Sequence, residues 1–350
     1  MKKRYWVYLC LLGMIIFGSV LVKPVLPVIQ LPGELFVRFD NAFIKQWFGG
    51  GITNTFMGTL IAWVIIVVMA FSLKAKSRTA DEVPSGFYNV FEWLVEALYG
   101  FVESSAGKWA KNFFPFFMTF ILFILVANWL ELVPGVDSIG KYETMGELAE
   151  HRAEAAAEAA GEHLSEDELH HIYDEAMEAN TGDLQNGLFL MRATTDENGN
   201  KPEDADYTIV PFVRAAATDL NFTLALALIS VVMTQYYGFK AQGAGYLKKF
   251  FQFDANKIAK NPLGAMDLIV GILELVAEIA KILSFSFRLL GNIFAGQVLL
   301  FVMAFLLPVA NVAFFGLEFF VGAIQAAVFA MLTLTFMSQA TQSHDHAEGH

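Results

Sequence analysis

The 350 residues include only one cysteine, Cys10, so the chain has no disulfide framework and no cysteine-based zinc site. Charge is also scarce. Asp, Glu, Lys and Arg make up 17% of the residues, against about 25% in ordinary soluble domains. Catalytic signatures are missing as well: no G-x-S-x-G elbow and no H-E-x-x-H run occurs. Gly135 to Tyr142 has phosphate-loop spacing, but it ends in Tyr142 where the magnesium ligand would be Ser or Thr, and it follows an apolar run rather than a strand. Gly243-Ala-Gly245 lacks the third glycine of a dinucleotide fingerprint, and Ser105-Ala-Gly-Lys108 has no companion S-D-N or K-T-G. Catalysis by this chain alone is therefore not expected, nor is a cofactor. The acids outnumber the bases, 35 to 23, which excludes nucleic acid as an expected partner.

What fills the space is apolar. At 56% hydrophobic the chain exceeds the usual 45–50% or so, and several runs reach the ~20 residues that cross a bilayer. Lys2, Lys3 and Arg4 precede a first apolar run within 1–25, which fits either a signal peptide or a membrane anchor. Gly18 and Ser19 match a cleavage site poorly, which favours the anchor. Residues 26–51, with Pro27 and Pro32, form an external segment, and 52–73 form a transmembrane helix closed on the cytoplasmic side by Lys74, Lys76 and Arg78. Over 81–111, Phe87, Phe91, Leu94, Val95, Leu98, Phe101 and Val102 recur at helical spacing, predicting an amphipathic helix on the cytoplasmic side. Residues 112–134 cross outward.

Residues 135–208 break the composition. The acids concentrate between Glu143 and Asp206, and the run through Ala160 is rich in strong helix formers. Ser165 with Glu168 marks a capping box for a second helix. An external helical hairpin with flexible polar edges over 194–206 is expected. His163, His170 and His171 stand among carboxylates as metal ligands might be arranged, but incidental histidines on a solvated acidic helix are the stronger reading, and no metal is expected.

Residues 209–238 cross inward, and the basic loop 239–262 is cytoplasmic. From 263 to 306 no strong breaker occurs. Such a helix is roughly 60 Å long, about twice the ~30 Å hydrocarbon core, so it must incline strongly or protrude. A final tilted membrane helix over 311–341 and a polar tail over 342–350 follow. The expected fold is an all-α polytopic membrane protein with about five to six transmembrane helices. It includes a long, strongly tilted helix hairpin at its C-terminal end, an amphipathic surface helix and an acidic external helical insert.

Arg288 lies in the apolar run Ser284–Gln297. An arginine at membrane depth costs from about 3 to more than 10 kcal/mol, and it cannot shed its charge. At ~100° per residue, Glu274, Ala277, Lys281, Ser284, Gly291, Asn292, Ala295 and Leu299 fall on or near its face, while Gln297 points to the opposite side. Small residues beside the charge let another helix approach closely. On the last helix Asn311, Glu318, Gln325 and Gln339 lie on one seven-residue period, with Leu332 as its apolar gap. Glu131, Asp219, Asn221, Gln297 and Glu318 fall toward the outer half, and Glu274, Glu278 and Lys281 toward the inner half. Two polar half-routes separated by a fixed positive charge would pass a cation without an open leak.

Arg288-Leu-Leu-Gly-Asn292-Ile-Phe-Ala-Gly296 resembles the arginine signature of subunit a of the F-type ATP synthase. Val83-Pro-Ser-Gly86, Asn128-Trp-Leu-Glu-Leu-Val-Pro134, Thr218-Asp-Leu-Asn221 and the run from Gln325 to Thr333 extend the resemblance. It implies a stator subunit packed against a ring of c subunits, assembled with the subunit b peripheral stalk and the rest of the complex, and bathed in membrane lipid. Arg288 would match the essential arginine, Asn292 and Gln325 would lie close to it, and Glu274 would lie on the inner access route. Asp219, Asn221 and Glu131 would fit the outer side. Gln297 and Glu318 match a pair that often holds ionisable groups; the amide cannot titrate, so Glu318 is the expected outer relay. The family resemblance implies a bacterial inner membrane with the C-terminus in the cytoplasm. The acidic insert departs from the shortest family members and is expected to cap the outer entrance or contact a partner. A stand-alone proton-coupled secondary transporter is the alternative, but no inverted repeat accompanies it. A purely structural scaffold would leave Arg288 unexplained.

Overall fold

The computed structural model describes residues 35–38, 51–76, 87–133, 136, 139–160, 163–179, 207–250, 264–306 and 310–342. The expected N-terminal anchor over 1–25, the polar edge over 194–206 and the second half of the basic loop, 251–262, lie outside these residues. Helices dominate: α1 (Asn54–Lys76), α2 (Phe87–Ala106), α3 (Ala110–Glu131), α4 (Met145–Ala160), α5 (Glu166–Ala179), α6 (Leu220–Gln242), α7 (Gly264–Leu306) and α8 (Asn311–Thr341). Among the described residues four stretches are long and apolar enough to cross a membrane: Asn54–Lys74, Tyr88–Glu131, Leu220–Leu247 and Asn311–Thr341. With α7, whose 43 residues extend about 65 Å, they make the chain an all-α polytopic membrane protein.

Local chemistry sets the helix ends. Thr53 caps α1, its Oγ1 accepting from the Phe56 N–H at 3.2 Å. Between α2 and α3 the chain passes through Gly107 at φ +52°, a left-handed conformation that a Cβ would disfavour. Asp219 caps α6, its carboxylate accepting from the Asn221 N–H at 2.8 Å. The Ser165–Glu168 capping box forms as its spacing predicts: Glu168 accepts from Ser165 N–H and Oγ–H at 2.9 and 2.8 Å, and Ser165 Oγ accepts from the Glu168 N–H at 3.3 Å. Thr144 and Glu147 build the same reciprocal device at the start of α4, with bonds of 2.9 and 3.1 Å.

The described residues fall into two compact units. One draws on Met1–Leu60, Trp129–Ala216 and Phe294–Phe320. It contains two antiparallel ribbons, β1 (Leu35–Arg38) with β2 (Gly51–Thr53), and β3 (Gly140–Thr144) with β4 (Tyr207–Pro211). The second ribbon pairs Gly140 with Pro211 and ends with Thr144 opposite Tyr207. The insert is therefore a helical hairpin on a two-stranded stem, and Tyr173 of α5 packs onto Gly146 of α4 where a Cβ would overlap the ring. The expected helices are present; the stem is the addition. Asn54 Nδ2 donates to the Pro211 carbonyl at 3.4 Å, and the Arg214 N–H to the Asn54 carbonyl at 3.3 Å, tying the start of α1 to the chain leaving the stem.

The other unit draws on Ile61–Asn128, Ala217–Ile293 and Val321–His350. Its interior gathers Phe113, Phe117, Phe120 and Ile124 of α3, Leu226, Ala227 and Val231 of α6, Phe285 and Leu289 of α7, and Phe329, Ala330 and Leu334 of α8. Lipid is as apolar as these side chains, so close packing and hydrogen bonds must hold such helices together. Two buried hydroxyl pairs do so. Thr223 Oγ1 and Ser286 Oγ lie 3.0 Å apart, and Ser230 Oγ and Thr333 Oγ1 lie 2.8 Å apart, so α6 is bonded to both α7 and α8. Gln242 Nε2 caps the end of α8 by donating to the Ala340 carbonyl at 2.9 Å.

Candidate functional site

Helix α7 has two unlike sides. Ser284, Phe287, Arg288, Gly291, Asn292, Ala295 and Leu299 are exposed, whereas Phe285, Ser286, Leu289, Ile293, Gly296 and Gln297 are buried. Of the residues expected on the Arg288 face, Ser284, Gly291, Asn292, Ala295 and Leu299 are exposed, and Gln297, expected on the opposite side, is buried. Arg288 donates to Ser284 Oγ at 3.3 Å, and its guanidinium carbon lies 6.0 Å from the Phe285 ring centroid. No carboxylate pairs with it among the described residues. A Cβ built on Gly291, three residues on, meets nothing within 4 Å.

Lys281 and Glu274 depart from the simple phase picture. The Lys281 ammonium donates to Glu278 Oε1 at 2.8 Å and sits 4.5 Å from the Phe336 ring centroid on α8. It is thus withdrawn from the Arg288 stripe, and Glu274 is only half-buried. Helical angle fixes where a Cα points; a four-carbon side chain then chooses its own partner.

In the first unit Gln297 is 3% and Glu318 7% exposed. A Cβ added to Gly296 would overlap the Glu318 carboxylate, which therefore rests against the α7 backbone where no side chain stands. Gln297 Nε2 and Glu318 Oε1 are both buried without a hydrogen-bond partner. Buried polar atoms of this kind call for a partner such as water. Glu131 is buried at 7%. Trp129 stacks on Phe319 with centroids 4.2 Å apart and donates from Nε1 to the Phe319 carbonyl at 3.0 Å. In the second unit Asn128 Nδ2 donates to the Gly322 carbonyl at 3.2 Å. The Asn128-Trp129 pair of the sequence motif is thus a clamp between α3 and α8.

Asp219 serves as a helix cap, a role its place in the Thr218–Asn221 run could have announced. Asn221 and Asn292 are exposed, and Gln325 is half-buried. Sequence reasoning missed the hydroxyl of Ser286, because a single buried serine in an apolar run carries no pattern. No group of three or more His, Cys, Asp or Glu able to hold a metal occurs among the described residues. His170 Nδ1 instead faces Asp174 Oδ2 at 3.0 Å, one turn away.

Several helices long and apolar enough to cross a membrane, together with α7, which bears an arginine on an exposed face of small residues with no carboxylate partner among the described residues, define a polytopic membrane protein. Residues 55–338 match the ATP synthase A chain family, and the chain belongs to that family. It is 30% identical to the ATP synthase subunit a of Mycobacterium ulcerans (strain Agy99) over 303 residues, covering 84% of this chain and 89% of the relative. It is 30% identical to that of Mycobacterium marinum (strain ATCC BAA-535 / M) over 310 residues, 86% and 92% of the two chains. For that of Acinetobacter baylyi (strain ATCC 33305 / BD413 / ADP1) the identity is 27% over 330 residues, 90% and 92%. Membership makes the chain a proton-translocating membrane subunit of ATP synthase, without catalysis of its own.

Proposed function

We propose that this chain is the stator subunit that passes protons to and from a rotating c-ring, with Arg288 as the charge barrier between two offset half-channels. The supporting observation is the Arg288 face: a guanidinium with no carboxylate partner, flanked by Gly291, whose missing side chain nothing among the described residues requires. Smallness without an internal cause points to an outside neighbour, and a helix carrying a membrane-embedded carboxylate suits both the shape and the charge. Arg288 holds an approaching carboxylate ionised by proximity and repels a bare proton, so a ring site must unload on one side and reload on the other.

Glu318, Gln297 and Glu131 belong to the outer route in this reading. Asp219 and Asn221 stand at its edge, Glu274 on the inner route, and Asn292 and Gln325 beside the arginine. Subunit b of the peripheral stalk, the remaining complex and lipid cover the other apolar faces, in a bacterial inner membrane with the C-terminus in the cytoplasm. The test is Arg288→Ala in inverted membrane vesicles. The complex should assemble and hydrolyse ATP, and ATP-driven proton pumping should vanish; normal pumping would refute the role.

A further inference from the structure

Across residues 312–320 of α8 only Glu318 is buried, while Val312, Leu317, Phe319 and Phe320 are between 48% and 77% exposed. Burying a polar group costs free energy unless it is bonded. The one side chain turned inward therefore cannot be what holds this stretch in place, and its exposed apolar neighbours do not hold it either.

A side chain of α3 does. The Trp129 ring stacks on Phe319, with centroids 4.2 Å and planes 12° apart, and its Nε1 donates to the Phe319 carbonyl at 3.0 Å. The two attachments grip different parts of one residue, ring and backbone, and so fix both its turn about the helix axis and its height along it. Phe319 directly follows Glu318, so its place sets that of Glu318, ~100° round and ~1.5 Å along the axis. The Glu318 carboxylate then meets α7 at Gly296, where a Cβ would overlap it. A gap one missing side chain wide receives an acid only from a helix whose rotation and height are held.

Resting on the reading of Glu318 as an outer-route acid, we propose that Trp129 is a positioning residue for proton transfer: gripping Phe319 by ring and carbonyl, it keeps the Glu318 carboxylate in the notch at Gly296. The indole handles no proton itself. Moving a reacting group by about 1 Å can cost on the order of a hundredfold in rate, so a loosened grip slows proton passage with every titratable group still present. The consequence is a dependence. Trp129 matters for pumping only while an acid stands at position 318. A tryptophan that merely stiffened the subunit, or that acted on Glu131 two residues along, would matter whatever stood there.

The experiment uses the full ATP synthase in inverted vesicles, with ATP-driven proton pumping normalised to membrane-bound ATPase activity. It compares Trp129→Leu, Glu318→Gln, the two combined, and Ser230→Ala, a lesion of the buried Ser230–Thr333 hydroxyl pair that only loosens packing. Trp129→Leu should pump at least about fivefold more slowly than wild type, and Ser230→Ala should stay within about twofold. Added to Glu318→Gln, Trp129→Leu should cost less than about a further twofold. Near-normal pumping by Trp129→Leu overturns the proposal. So does an equal fold-loss when the amide stands at 318, or a Ser230→Ala defect as deep as that of Trp129→Leu. A thiol reports the position itself. In a Cys10→Ala/Glu318→Cys chain, N-ethylmaleimide should label position 318 slowly, and adding Trp129→Leu should speed labelling at least about fivefold; an unchanged rate overturns the proposal. If Trp129→Leu does not assemble, Trp129→Phe, which keeps a ring and loses the donor, carries the same comparison: pumping should fall and labelling should quicken, and absence of either effect overturns the proposal. Glu318→Gln separates the two levels. Normal pumping by that variant removes the reading of Glu318 itself, whereas a slow Glu318→Gln beside a normal Trp129→Leu removes only the role of Trp129.

Discussion

The Glu318 carboxylate occupies the space that a side chain at Gly296 would fill. One helix thus supplies a vacancy and the next supplies the acid that uses it, with Gln297 buried alongside in sequence. Gly296→Ala should displace only the end of a flexible side chain. Its stability cost should lie at the low end of the roughly 1–3 kcal/mol typical of overpacking. Pumping should nevertheless drop several-fold in vesicles, because the acid has moved. Wild-type pumping by this variant would show that the position of Glu318 is immaterial.

Glu318→Gln tests the acid directly. An amide of the same shape keeps the packing and cannot carry a proton by titrating, so ATP-driven pumping should slow strongly while the complex assembles at normal levels. An unaltered rate would move the outer relay to Asp219 or Glu131.

Gly291→Leu asks whether the open face is covered by a partner. Nothing among the described residues stands within 4 Å of a Cβ there, so the subunit should accumulate in the membrane as usual. Proton pumping should be lost, since a bulky side chain would strike whatever slides past Arg288. Normal pumping would mean that no helix comes close to that face.

Thr223 and Ser286 invite a double-mutant cycle. Their hydroxyls are fully buried and 3.0 Å apart, and such bonds in membrane proteins couple by about 0.6 kcal/mol on average, with a maximum of ~1.7. Thr223→Val and Ser286→Ala should each lower the thermal stability of the solubilised complex, and the pair together should lower it less than the sum. Strict additivity in the unfolding midpoints would deny the bond.

The insert should respond to acid. Backbone and then side-chain hydrogen bonds from Ser165 hold the Glu168 carboxyl below its ordinary value, with burial opposing slightly. A depressed folded value means the stabilisation is present above the unfolded value and is lost as pH falls through the folded one. Amide exchange at the start of α5 should therefore quicken on acidification, and Ser165→Ala should produce fast exchange already at neutral pH. A pH-independent exchange rate in the wild type would contradict the capping role.

Much of this was legible in the sequence because it depends on short-range periodicity. The membrane runs, the Ser165-x-x-Glu168 cap and the two sides of α7 all follow from spacings within a few residues. The rest depends on partners far apart in the chain or on flexible side chains. Gly140–Thr144 is too short to announce a strand, and its mate begins only at Tyr207. The phase of Lys281 was right, yet its ammonium left the stripe for Glu278, because a long stem can cross onto the adjoining face. Asp219 looked like an ion-route acid and is also the α6 cap, since one residue type serves both purposes.

The pairing of Thr144 with Tyr207 has a mechanical consequence. Strand partners stand about 4.5–5.5 Å apart, so the chain leaves and re-enters the stem through a doorway one strand wide. Residues 145–206 should therefore be exchangeable for a two-residue hairpin turn that keeps Thr144 opposite Tyr207. The trimmed chain should still reach the membrane and assemble, as blue-native electrophoresis would report. The same doorway accepts cargo: a fluorescent domain with adjacent termini, grafted there, would ride on the non-rotating side of the proposed motor as a fixed reference for watching the turning part.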